Sequence, residues 1–108
     1  MDRKRTILPS DHNIRALGKY FQILNSGDEA LWEQAFHHTW HPEAIVHGRT
    51  CAELKERHRR RLGQSWVEDV HVVQDIDGYG LEYTATVDGR PKGPFWATFR
   101  EGRIYRVC

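Results

Sequence analysis

The spacing of apolar residues changes once along this chain, near residue 66. Before that point apolar side chains recur every three or four residues, the repeat of one helix face. After it they alternate with polar ones, the repeat of one sheet face. Helices first and strands last is the pattern of an α+β domain, with helices packed on a mainly antiparallel sheet. A length of 108 residues leaves room for one core.

The first helix is expected over about Ser10 to Ser26, capped by Ser10-Asp11 after Pro9. Ile14, Leu17, Phe21 and Leu24 form its stripe, flanked by Tyr20 and Ile23. Gly27 stops it, because glycine accepts the left-handed conformation past a helix end. Asp28 caps a second helix to about Thr39, with Trp32, Ala35, Phe36 and Trp40 at helical spacing. Pro42 closes that helix, since the residue before a proline is driven out of helical geometry. Ile45 and Val46 suit a short strand from Glu43 to Gly48. A third helix spans about Cys51 to Gln64, with Cys51, Leu54, His58 and Leu62 on one face.

Three turn signals divide the remainder: Asp77-Gly78, Asp88-Gly89 and Glu101-Gly102. They predict antiparallel strands at about Val67–Ile76, Tyr79–Val87, Pro94–Arg100 and Arg103–Val107. Alternation turns Leu81, Tyr83, Ala85 and Val87 one way, and Glu82, Thr84 and Thr86 the other. Phe95, Ala97 and Phe99 face the helices, while Trp96, Thr98 and Arg100 face out. A large aromatic such as Trp96 on a polar sheet face marks a contact surface.

Net charge is +1, which gives no pull toward nucleic acid or anionic membrane. The basic run Lys55-Glu56-Arg57-His58-Arg59-Arg60-Arg61 is interrupted by acid and reads as a solvated helix face, one that could also steer an anionic ligand. No apolar run approaches the roughly 20 residues of a spanning helix. The basic lead over residues 1–9 is followed by no apolar stretch, so no secretory signal is expected, and residues 10–108 form the domain. The expected compartment is the cytoplasm. Cys51 and Cys108 make no metal or redox spacing and are expected to be free thiols. His37 and His41 stand at i, i+4, but Pro42 ends the helix there and no further ligand completes a set. Neither metal nor cofactor is expected.

The segments Lys19-Tyr20-Phe21-Gln22-Ile23-Leu24-Asn25-Ser26-Gly27-Asp28, His41-Pro42-Glu43-Ala44-Ile45-Val46-His47-Gly48 and Phe99-Arg100-Glu101-Gly102-Arg103-Ile104, in this order and spacing, carry a resemblance. Over about residues 10–107 the chain resembles the nuclear transport factor 2-like superfamily. That group includes ketosteroid isomerases, SnoaL-like polyketide cyclases and scytalone dehydratases. The resemblance implies a strongly curved sheet wrapped around the helices, a cone with an apolar interior pocket, and a homodimer through the convex sheet face. Trp96 and Thr98 would lie in that interface.

Tyr20 sits where ketosteroid isomerases place the tyrosine that donates a hydrogen bond to the substrate oxygen. Those enzymes also use an aspartate base and a protonated acid. The base would follow the first strand, where this chain runs from Val46 through His47-Gly48 almost directly into the third helix. The second acid would fall near Phe95. Steroid isomerase chemistry is therefore not expected. The reading that follows is a pocket for a small apolar or aromatic molecule, lined by Tyr20, Trp40, His58, Tyr83, Phe95 and Phe99. One alternative is an isomerase, cyclase or dehydratase in which Tyr20 polarises a carbonyl and His58 or His47 moves a proton. Another is a non-catalytic dimeric interaction module whose interior is filled by its own side chains.

Overall fold

The computed structural model describes residues 9–76 and 80–108, with the side chains of 9–16, 75 and 76 left aside. The basic lead up to residue 8, the Ser10-Asp11 cap, the place of Ile14 in the stripe and the Asp77-Gly78 turn lie outside the described residues. Three helices precede most of a six-stranded mixed sheet. The elements are α1 (Pro9–Ser26), α2 (Glu29–Thr39), β1 (Trp40–Val46), β2 (Arg49–Thr50), α3 (Cys51–Arg60), β3 (Val67–Ile76), β4 (Gly80–Val87), β5 (Arg90–Arg100) and β6 (Arg103–Val107). The strand order is β2-β1-β6-β5-β4-β3. Neighbours are antiparallel except β1 and β6, which run parallel and join the first strand to the last.

The core lies between the helix stripes and the inner sheet face. Leu17, Tyr20, Phe21 and Leu24 of α1 are buried with Trp32 and Phe36 of α2, Leu54 and His58 of α3, and Leu81, Tyr83, Ala85, Ala97, Ile104 and Val107 of the sheet. Tyr20, expected at the flank of its stripe, is 1 % exposed and stands inside the core. Leu81, Tyr83 and Ala85 are buried, and Glu82, Thr84 and Thr86 are not, as alternation requires.

Boundaries differ from expectation where backbone chemistry outweighs periodicity. α1 is described from Pro9, so its start relative to Ser10 falls at the edge of the described residues. β1 begins at Trp40 and runs through Pro42. This is possible because the β1–β6 ladder is irregular between Trp40 and Ile45, so the missing N–H breaks no regular pairing. α3 stops at Arg60 instead of near Gln64, and the N–H groups of Arg61 and Leu62 bond back three residues in tighter turns. Its start is a capping box, with Thr50 accepting from the Glu53 N–H and Glu53 accepting from the Thr50 N–H.

Two further strand segments come from tight turns. His47-Gly48 and Asp88-Gly89 each place two residues at positive φ between directly paired neighbours. That is the geometry of a type I′ hairpin, whose twist matches its strands. The first creates β2, which was expected as part of the approach to α3. The second starts β5 at Arg90 instead of Pro94.

One close approach sets the helices relative to each other. Gly27 and Gly63 both have positive φ and lie back to back, so that a Cβ on Gly63 would come within 3.2 Å of the Gly27 Cα. There the Gly63 N–H caps the Leu24 carbonyl at 2.9 Å, which ties the end of α3 to the end of α1. Among the described residues no helix is long and apolar enough to cross a membrane.

Candidate functional site

A cavity of about 300 Å³ opens beside the core. Its inner wall is apolar: Phe21 from α1, Trp40 and Val46 from β1, Leu54 from α3, Tyr83 and Ala85 from β4, and Phe95 from β5. Trp66, just before β3, and Val67, its first residue, complete it. Its size is at the lower end of the roughly 300–1,000 Å³ typical of small-molecule sites.

His58 stands at the boundary between this cavity and the core. The rings of Tyr20, Phe21, Phe36, Trp40 and Trp66 surround its imidazole at centroid distances of 5.5 to 6.3 Å. Its Nδ1 is 2.6 Å from the Tyr20 hydroxyl. The Trp32 Nε1–H donates to that same hydroxyl oxygen at 3.0 Å. An indole nitrogen can only donate, so the tyrosine oxygen accepts from Trp32, and among the described residues His58 Nδ1 is the acceptor within reach of the tyrosine proton. His58 Nδ1 is therefore the acceptor, and the neutral ring carries its proton on Nε2. Burial, reinforced by the charge of Arg57, lowers the His58 pKa from 6.5 to about 3. Burial likewise pushes the Tyr20 hydroxyl well above its usual range, against the opposing hydrogen bond from Trp32 and the pull of the Trp40 indole.

The chemical consequence is specific. At neutral pH His58 is a hydrogen-bond donor through Nε2 and a poor proton acceptor. Tyr20 neither ionises nor reaches the cavity, and it acts on it only by fixing the His58 tautomer. Among the described residues nothing pairs with His58 Nε2 or with the Tyr83 hydroxyl, and the Trp66 Nε1–H is buried without a partner. Burial also raises the Tyr83 pKa, so that hydroxyl stays protonated. The polar atoms in the wall are thus mainly donors.

Of the residues expected to bind a ligand, Trp40, His58, Tyr83 and Phe95 line the cavity together. Tyr20 lies behind His58, and Phe99 is half-buried against the core away from the cavity. His47, offered as a proton mover, stands at the cavity rim. Its hairpin holds the ring edge-on to Phe95 at 5.1 Å. Partial burial, with Arg49 adding to it, lowers the His47 pKa. Sequence reasoning missed Arg49, Arg57, Lys92 and Trp66 in the lining. Trp66 carried a signal, since it stands where the apolar repeat changes. Arg57 carried one as part of the basic run of the third helix, while Arg49 and Lys92 carried none, because their positions depend on a turn and on register.

Trp96 and Thr98 lie on the outer sheet face, both half-buried. The Trp96 ring is laid over Gly80, where a Cβ would come within 3.0 Å of its Cε2 and Cζ2. His37 and His41 separate into α2 and β1, and His41 Nδ1 accepts from the Glu43 N–H while Nε2 faces Glu101. Among the described residues no group of three or more His, Cys, Asp or Glu could hold a metal ion. Cys51 and Cys108 are free thiols. Comparison with protein-family models, with curated proteins and with solved structures finds no match.

Proposed function

We propose that this chain is a cytoplasmic small-molecule-binding domain on the nuclear transport factor 2-like plan, its sheet curved about the helices and its cavity the interior of the cone. The observation that carries the reading is the cavity itself. A domain whose interior served only as packing would close it, because protein interiors are packed to crystal-like density. Here Phe21, Trp40, Leu54, Tyr83 and Phe95 surround a space of about 300 Å³ with donor groups unsatisfied in its wall.

Isomerase, cyclase or dehydratase chemistry has less support. Tyr20 is spent on His58, and an imidazole with a pKa near 3 takes up no substrate proton at neutral pH. The reading as a self-filled interaction module is weakened by the same cavity.

A thermal-shift screen with apolar and aromatic probes tests the reading. A ligand at one hundred times its Kd stabilises the native state by about 2.7 kcal/mol. In a domain of this size that is roughly 10 °C in Tm. Ala85→Trp fills the cavity from the floor, and it is expected to abolish the shift in a folded protein. A panel that produces no shift and no change in tryptophan fluorescence removes the reading.

The homodimer through the outer face belongs to the same proposal. Trp96, Glu82 and Thr98 are neighbours there. Light scattering is expected to give twice the 12.7 kDa chain mass at micromolar concentration, and Trp96→Glu to halve it. A wild type that runs as a monomer ends this part.

A further inference from the structure

The charged residues of the cavity are all of one sign. The buried lining residues form its depth, and the more exposed ones form its mouth. Arg49, Arg57 and Lys92 are in the mouth with His47, and among the described residues no carboxylate lines it.

Among the described residues these cations form no ion pair. The basic run of α3 is mostly paired: Lys55 with Glu33, Arg59 with Glu29, Arg60 with Glu56 and Arg61 with Asp88. Arg57 is left out of that pattern. Among the described residues neither it nor Arg49 nor Lys92 has a carboxylate within ion-pair distance. Two acids do border Arg49 and Arg57 on the outside of the helix, but both are engaged. Glu53 is held in the capping box by the Thr50 N–H, and Glu56 serves Arg59 and Arg60. Asp88, the acid near Lys92, is held by the Arg61 guanidinium.

We propose that the pocket selects an anionic ligand, an apolar or aromatic monocarboxylate whose hydrocarbon body fills the aromatic depth and whose carboxylate meets Arg49, Arg57 and Lys92 at the mouth. This rests on the small-molecule reading above and names its ligand class. A cluster of cations beside a low-dielectric wall focuses its field into the cavity and raises the local concentration of anions. Arginine is suited to the task because its planar fork can bond both carboxylate oxygens. The unpartnered donors in the wall agree in sign. Trp66 Nε1–H and His58 Nε2–H can only donate, and the Tyr83 hydroxyl is free to donate, so the wall suits a ligand rich in acceptors. A cationic ligand would meet like charges at the mouth and find no acid.

Isothermal titration calorimetry with 2-naphthoate, 4-phenylbutyrate and decanoate, each beside its primary amide, tests the charge separately from the pocket. At least one acid is expected to bind ten-fold or more tighter than its amide, and to lose several-fold in affinity between 50 and 300 mM salt. In Arg57→Gln/Lys92→Gln that preference is expected to shrink about ten-fold, because the acid loses more affinity than its amide. Both substitutions are at exposed positions, and circular dichroism verifies the fold. Amides that bind as tightly as acids overturn the anion selectivity and leave the pocket reading standing. A double variant that keeps the full preference overturns the assignment of these cations. Failure of acids and amides alike overturns the inference together with the pocket.

Discussion

Acidification from pH 6.5 toward pH 3 is expected to destabilise this domain by several kcal/mol through one histidine. His58 has its pKa lowered from 6.5 to about 3 in the folded protein, first by burial and then by Arg57. Between those values the unfolded chain binds a proton that the native state refuses. Stability therefore falls as pH falls, with a slope approaching about 1.4 kcal/mol per pH unit. Above the unfolded value the penalty is absent. Over the whole window it sums to roughly 4–5 kcal/mol, a large part of the 5–15 kcal/mol that holds a domain together. Asp88 beside Arg61 and Glu33 beside Lys55 have lowered pKa values and act in the same direction, but they are exposed and screened.

His58→Gln separates the two sources. Glutamine keeps an acceptor for the Tyr20 hydroxyl and does not titrate. Urea denaturation across pH 4 to 7 should show the wild type steeper than the variant by close to one proton near pH 5. Parallel curves would mean that His58 accepts a proton without unfolding, and the buried neutral imidazole would be wrong.

Tyr20→Phe is the second large effect. The new ring fills the same space, so no cavity arises. What goes is the one oxygen that serves both the Trp32 Nε1–H and His58 Nδ1. Each group is then buried without a partner, at a cost of about 1–3 kcal/mol. The expected loss is about 2–4 kcal/mol by chemical denaturation. The cost should be smaller on a background where His58 is already leucine, because only Trp32 is then stranded. A loss below about 0.5 kcal/mol would show that water replaces the hydroxyl, and that this triad is not sealed.

The sequence carried much of the architecture and part of the site. Leu17, Phe21 and Leu24 announced one helix face and Leu54 and His58 another. Leu81, Tyr83 and Ala85 announced the inner sheet face, and all are placed accordingly. Four expected pocket residues share one cavity for the same reason: a side chain on the apolar face of its element is directed inward. Less legible was what each side chain packs against. Tyr20, offered for a ligand, hydrogen-bonds His58 in the core. Trp96, offered as a contact surface, has its ring over Gly80, which register alone brings beneath it.

The cavity sharpens the contrast. Periodicity and turn chemistry are local, so the chain itself determined the three helices, the alternation of its strands, and His58 on an apolar face. Tertiary structure decided the rest. Gly27 against Gly63 draws α3 onto α1 and brings His58 within reach of Tyr20, thirty-eight residues away. The His47-Gly48 hairpin and the β4–β5 register deliver Arg49 and Lys92 to the mouth where α3 presents Arg57. Charges that are scattered along the chain and nearly cancel in sum become a single-signed ring only when distant segments are folded together. No property of one segment encodes that juxtaposition.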